Sequence, residues 1–196
     1  LRRPTIFKII DNVKKNGDNA LIKYEKKFNS NSKIRVSKKD IIKSIKNLDK
    51  KVKKAINLSY ERIFKYHSNQ KTNNFRFKDK LGNKFEYKFI PIEKVGIYVP
   101  GGTASYPSTV LMNAIPAILA KVKKIIIATP SINGKLNQGV IYAANKCGIK
   151  DIYSVGGAQA VAALAYGTNK VEKVDKIIGP GNIYVTAAKK EVFGDV

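Results

Sequence analysis

VGIYVPGG, residues 95–102, is an apolar run of β character that stops in two glycines, and the chain returns to the same pattern at VGGA (155–158) and GPGN (179–182). Each time the glycines lead into a helical pattern. Backbone N–H groups are therefore offered at successive strand ends, an arrangement suited to a phosphate-bearing ligand. KIIIA (124–128) is the near-continuous apolar type buried between helix layers, and 151–155 and 174–178 supply two more strands. Helices are expected over 108–120, 136–147, 157–166 and 183–192. Strict alternation of strand and helix implies right-handed crossovers and a parallel sheet, with any ligand outside the carboxyl ends of its strands.

Upstream of residue 95 the pattern is different. Ile6, Ile9, Ile10 and Val13 make one helical face before Gly17, and Ala20, Leu21, Tyr24 and Phe28 make the buried side of a second helix from Asp18. SKKD at 37–40 resembles a capping box and opens a helix carrying Ile41, Ile42, Ile45 and Leu48 inward. Another helix runs from near Asp49 to about Ser68, with Val52, Ile56, Ile63 and Phe64 inward. The period then drops to two: Phe75 and Phe77, a Gly82-Asn83 turn, then Phe85, Tyr87 and Phe89 predict a β-hairpin. Its aromatic face is expected to be half-buried against the helices; stacking nucleic-acid bases is the alternative use of such a face. The fold class expected is α/β: an incomplete Rossmann-like parallel sheet with flanking helices (95–196), preceded by a helical segment and a β-hairpin (1–94).

The 196 residues can bury a core of useful size. No apolar run approaches a membrane span and the basic opening lacks the form of a secretory signal, so a cytoplasmic protein with no membrane partner is expected. The formal charge is +24, of which residues 1–94 carry +18 and residues 95–196 carry +6. Nearly all of these cations are Lys scattered among Asn and Ile, where bidentate recognition of bases or phosphates favours Arg. No specific nucleic-acid binding is expected. Cys147, the single cysteine, excludes an internal disulfide and reads as a packing residue late in a helix. His67, the single histidine, falls near a helix end, where it can bond the last carbonyls and favour the dipole.

None of the glycine turns is a G-x-G-x-x-G fingerprint or a G-x-x-x-x-G-K-[ST] phosphate loop, so position has to carry the site reading. Gln159 opens a helix and can offer its amide to a ribose, a pyrophosphate or a nicotinamide amide. Asn182 caps the helix after GPG and can turn its N-terminus toward an anion; Tyr98, near the end of its strand, offers a ring and a phenolic donor. The plainer readings are that Asn182 only caps and Tyr98 only packs. A general base is harder to find, because Asp151, Glu172, Asp175, Glu191 and Asp195 fall at turns or beside lysines.

The strings VGIYVPGGTASYPSTVLMNAIPA, NQGVIYAANKCGI and YSVGGAQAVAALAYGTNKVEKVDKIIGPGNIYVTAAKKEVFG closely resemble the histidinol dehydrogenase family. DNVKKNGDNALIKYEKKF and the hairpin are similar to that family's N-terminal region, so the resemblance covers essentially the whole chain. It implies a zinc-dependent, cytoplasmic homodimer that oxidises L-histidinol through enzyme-bound L-histidinal to L-histidine with two NAD, in the last steps of histidine biosynthesis. It also implies that Tyr98, Gln159 and Asn182 contact NAD, the same residues that loop position singles out. The family's zinc ligands, substrate-gripping residues and proton-handling Glu-His pair match no position here. The chain is therefore expected to be an N-terminal fragment, inactive alone, with no catalytic or metal-binding residue of its own. The alternative is a noncatalytic nucleotide-binding or partner-binding remnant of a degraded gene.

Overall fold

The computed structural model describes residues 3–70, 72–101 and 106–196. Three helices come first: α1 (Arg3–Asn29), α2 (Lys38–Asn47) and α3 (Lys50–Ser68). Gly17 breaks α1 with non-helical φ/ψ of 50°/−128°, so its two apolar faces belong to two rods joined at a kink. Ser37 opens α2: its Oγ accepts from the Asp40 N–H at 3.1 Å and donates to the Asp40 carboxylate at 2.7 Å. Asp49 caps α3 by accepting from the Lys51 and Val52 N–H groups. Both starts follow from short polar side chains placed just before the apolar period.

The hairpin comes next, as β1 (Phe75–Lys78) and β2 (Lys84–Tyr87), paired antiparallel. The hairpin lies where the sequence predicts it, but its turn centres on Lys80-Leu81, closed by the Gly82 N–H donating to the Asp79 carbonyl at 3.1 Å, rather than on Gly82-Asn83, and its burial is not as expected. All eight ladder residues are exposed, and the rings cover one another instead: Phe75 stacks on Tyr87 at 5.4 Å and Phe77 on Phe85 at 4.9 Å. Phe89 meets Tyr87 edge-on at 5.0 Å. Cross-strand aromatic pairs stabilise a two-stranded ladder without a helix beneath it. Phe28, Ile42 and Val52, expected inward, are exposed as well. The His67 ring lies 2.6 Å from the Gln70 side-chain oxygen rather than on the helix-end carbonyls.

The α/β unit follows as β3 (Lys94–Tyr98), α4 (Pro107–Leu119), β4 (Lys124–Ala128), α5 (Gln138–Lys146), β5 (Asp151–Tyr153), α6 (Gly157–Tyr166), β6 (Lys176–Ile178) and α7 (Ile183–Glu191). The sheet is parallel with order β5-β4-β3-β6, as alternating apolar runs and helices require. Residues 34–36 cover the β5 edge in antiparallel fashion: Val36 N–H donates to the Ile152 carbonyl at 2.9 Å and Ser154 N–H to the Ile34 carbonyl at 2.6 Å. One face of the sheet packs on α4 and α5, with α2 and α3 outside them. The other packs on α6, which is flanked by α1 and α7.

Two side-chain patterns explain that sandwich. Ile97, Ile127 and Ile152 alternate onto the α4/α5 face and are fully buried, each contributing about 2–3 kcal/mol of apolar burial. On the opposite face α6 is buried from Ala158 to Ala165, five of those eight residues being alanine, which lets α1 lie close against it. Among the described residues, no helix is long and apolar enough to cross a membrane.

The strands start in an ion-pair cluster. Glu172 bonds Lys94 at 2.6 Å and also Lys124; Lys124 reaches Asp151, which pairs with Arg35 at 2.6 Å. Asp175 accepts from the Lys94 N–H. Three of the five carboxylates of the α/β unit thus sit at the end of the sheet opposite the glycine loops. The lysine hydrogen bonds, Lys124 first and then Lys94, hold the Glu172 carboxyl down at about 2. A depressed carboxyl contributes stability above its unfolded value, about 4.3, and that contribution is lost as pH falls through the folded value. Glu172→Gln is expected to lower the Tm by ~1–3 °C at pH 7, since the group is partly exposed, with the difference from the parent gone near pH 2 in a pH series of thermal melts.

Candidate functional site

The strand order reverses between β3 and β6, since the chain builds β4 and β5 on one side of β3 and then crosses back to add β6 on the other. Such a switch point leaves a crevice at the carboxyl ends, and a cavity of about 650 Å³ lies there. Tyr98, Gln159 and Asn182 all line it, together with Gly101, Pro130, Ser131 and Gly157. Of the first glycine loop, Gly101 is at the cavity wall, whereas Gly102 and residues 103–105 lie outside the described residues. A second depression, of about 450 Å³ between α2 and the loop before α5, carries Lys33, Arg35, Asp40 and Lys43 and lies apart from the three sequence candidates.

The loops reach the cavity by close backbone approach. Gly179 has φ 100°, and a Cβ there would lie 2.2 Å from the Tyr98 carbonyl oxygen, so the turn after β6 can press against β3 only without a side chain. Lys189 holds the same turn from the other side by donating to the Gly179 carbonyl at 2.6 Å, and burial lowers the pKa of its ammonium. Pro130 is wedged between the loops: added Cβ atoms at Gly101 and Gly156 would each come within 2.5 Å of its ring.

Each candidate side chain has a defined hydrogen-bond state. The Tyr98 oxygen accepts from the Gly157 N–H at 3.1 Å, which leaves the phenolic proton to donate. Burial pushes the Tyr98 phenol up, with the Gly157 bond opposing, so the group stays protonated at neutral pH. Asn182 Oδ1 accepts from the Tyr184 and Val185 N–H groups, both at 3.1 Å, and so caps α7. The Gln159 Nε2 donates to Glu25 at 2.8 Å. By contrast, α6 has no side-chain cap.

Sequence reasoning missed two residues here. Glu25, on α1, is fully buried; its Oε1 accepts from the Gly156 N–H at 3.0 Å as well as from Gln159, and its Oε2 from the Asn29 side chain at 2.7 Å. Desolvation raises its carboxyl pKa, while those three donors oppose the rise. The available signal was spacing: Glu25 stands four residues after Leu21 on the stripe assigned to the core. Ser131 is the other. It is buried, it lines the cavity, and its Oγ has no hydrogen-bond partner among the described residues. An orphaned buried hydroxyl at a cavity wall is suited to a polar ligand.

The described lining residues include no carboxylate and no histidine, the side chains that most often abstract protons. Among the described residues no group of three or more His, Cys, Asp or Glu is arranged to hold a metal ion. Cys147 is buried and its thiol is pushed up to about 11, as a packing residue would be.

A family model described as histidinol dehydrogenase matches residues 2–196. The chain is 63% identical over its full length to a histidinol dehydrogenase of Pelagibacter ubique and 47% identical to one of Bacillus subtilis, covering 46% of each. A crystal structure of histidinol dehydrogenase from Elizabethkingia anophelis superposes with a TM-score of 0.95 at 40% identity, over all of this chain and 46% of that one. The chain thus spans about half the length of the relatives it matches.

Two substitutions check this geometry. Gly179→Ala is expected to destabilise the chain by about 2 kcal/mol or more in urea melts, because both the positive φ and the Tyr98 carbonyl oppose a Cβ. A carboxyl whose folded pKa is raised costs stability increasingly as pH climbs from its unfolded value through its folded one. The Tm difference of Glu25→Gln over the parent is therefore expected to move in the variant's favour between pH 4 and pH 8; a difference independent of pH would mean that Glu25 is not desolvated.

Proposed function

The chain belongs to the histidinol dehydrogenase family, and from that premise we propose that it is the NAD-holding portion of an enzyme that oxidises L-histidinol through L-histidinal to L-histidine. The observation that carries this reading is the crevice at the switch point, lined at once by Tyr98, Gln159 and Asn182. In this reading residues 95–196 form the Rossmann-like NAD-binding domain, and residues 1–94 the N-terminal helical segment and hairpin. The longer enzyme would act as a cytoplasmic homodimer in histidine biosynthesis, with L-histidinol as its substrate and zinc as its metal.

The residues present fit a dinucleotide. Beyond the Gly156 and Gly157 N–H groups, which Glu25 and Tyr98 take, the start of α6 has the Ala158 and Gln159 N–H groups to present, the Ser131 hydroxyl lacks a partner among the described residues, and Phe28 and Tyr184 offer apolar surface at the cavity wall. NAD supplies the hydride acceptor for each of the two oxidations. Tyr98 donates a hydrogen bond from a phenol kept neutral by burial, and Asn182 fixes the start of α7 with its Oδ1. The glycine loops keep side chains out of the space the cofactor backbone would occupy. Zinc is different: the described residues contain no fitting ligand group.

Calorimetric titration of the chain with NAD tests the reading. Binding is expected, weakened about threefold to tenfold by Tyr98→Phe and by Gln159→Ala, consistent with loss of one hydrogen bond. With NAD, L-histidinol and zinc supplied together, the chain alone is expected to form no NADH. Absence of NAD binding, or binding indifferent to both substitutions, would count against the assignment.

A further inference from the structure

Gln159 has two chemically opposite ends, and only one of them is free to meet a ligand. Its Nε2 is taken by Glu25 Oε1 at 2.8 Å. Its Oε1 lies over Gly157, 2.9 Å from where a Cβ on that residue would be, and Gly157 lines the cavity. No hydrogen bond among the described residues reaches that oxygen. An amide left to itself can turn over and offer NH₂ instead, because its two orientations have the same shape. Glu25 removes that choice when ionised: a carboxylate accepts only, and the Gly156 N–H already donates to the same oxygen, so the amide nitrogen faces it. Glu25 is itself held on both oxygens, by Gly156, Gln159 and Asn29, and is sealed from water on a helix outside the α/β unit.

We propose that Glu25 is a positioning residue for the cofactor: by claiming the Gln159 nitrogen it commits Gln159 to present an acceptor, Oε1, to a hydrogen-bond donor of NAD. This rests on the crevice being the NAD site. The donor is a ribose hydroxyl, the adenine amino group or the nicotinamide carboxamide NH₂, the uncharged donors of the dinucleotide. A ligand presenting only acceptors at that point, such as a phosphate oxygen, would face the Gln159 oxygen unfavourably. Selection thus arises from an amide orientation set by a residue that never touches the ligand.

The test is a thermodynamic cycle on the whole chain, read by NAD titration, with thermal melts confirming that each variant is folded. Glu25→Met removes the acceptor while filling its volume. It is expected to weaken NAD binding about tenfold, whereas Glu25→Gln, whose carbonyl can still accept from Gly156 and Gln159, stays within about threefold of the parent. In a Gln159→Ala background, Glu25→Met is expected to cause no further loss, because there is no amide left to orient. A full tenfold loss in that background would show a general structural role and overturn the proposal, as would parent-like binding by Glu25→Met. Titration with ADP-ribose alongside NAD narrows the donor: an equal loss marks a ribose hydroxyl or the adenine amino group, and a loss confined to NAD marks the carboxamide. Should Glu25→Met melt below the assay temperature, the unsubstituted chain decides: its Gln159 side-chain amide protons are expected to be protected from exchange before NAD is added, and rapid exchange would sink the idea. A parent chain that binds no NAD defeats both the site and the positioning role; a parent that binds, with an uncoupled cycle, defeats the positioning role alone.

Discussion

A carboxylate removed from water must be hydrogen-bonded on each oxygen, and that demand ties α1 to the strand-end loops. Glu25 meets it with donors from three places: its own helix end, the VGGA loop and the first turn of α6. Asn31 continues the join, since its amide donates to the Ser154 carbonyl and hydroxyl at 3.0 and 2.9 Å. The helical segment is thereby locked to the sheet at the carboxyl ends of its strands rather than merely laid on its flank. Alanine on α6 supplies the close approach that brings Glu25 within reach. Packing and polar satisfaction therefore solve one problem together.

The second organising constraint is the crossover. Building two strands to one side of β3 and the next to the other forces the loops after β3 and β6 apart at their tips, and the loop after β5 comes over the gap with α6. Pro130 fills the space between two of these loops, which admit it because they carry glycine. Charge is arranged by the same axis. Carboxylates and lysines pair at the strand starts, while at the strand ends the described cavity lining is uncharged and two nearby charges, Glu25 and Lys189, are tied to the Gly156 and Gly179 loops behind it.

Much of this is legible in the amino-acid sequence alone. Apolar runs ending in glycine locate the strands and loops, Gly17 locates the break in α1, and Ser37 and Asp49 mark helix starts, because each of these signals is local. The meeting of Tyr98, Gln159 and Asn182 in one crevice is legible too, since topology dictates where strand ends gather. Glu25 is not, for a physical reason: in YEKKF it is flanked by Tyr and Lys, and a glutamate in such company normally faces solvent. Its burial depends on loops more than 120 residues later. Ser131 is hidden in the same way, as a short polar residue following a turn-forming proline. The hairpin shows the converse. Alternating aromatics predict a ladder whether the rings press on a core or on each other, so its existence is readable, whereas its turn, at Lys80-Leu81 rather than Gly82-Asn83, and its burial are not.

That hairpin has a bearing on how the molecule reports its own state. The protein has no tryptophan, and its closest stacked ring pairs, at 4.9 and 5.4 Å, lie on exposed strands outside both apolar cores. An isolated two-stranded ribbon opens more easily than a four-stranded sheet under two helix layers. Near-ultraviolet dichroism, which draws its intensity from ordered rings, therefore reports the ribbon's melting alongside that of the sheet, whose Tyr98 and Tyr153 rings are buried. An early optical transition in this chain signals a local event, and amide exchange in β3 and β4 follows the loss of the fold itself.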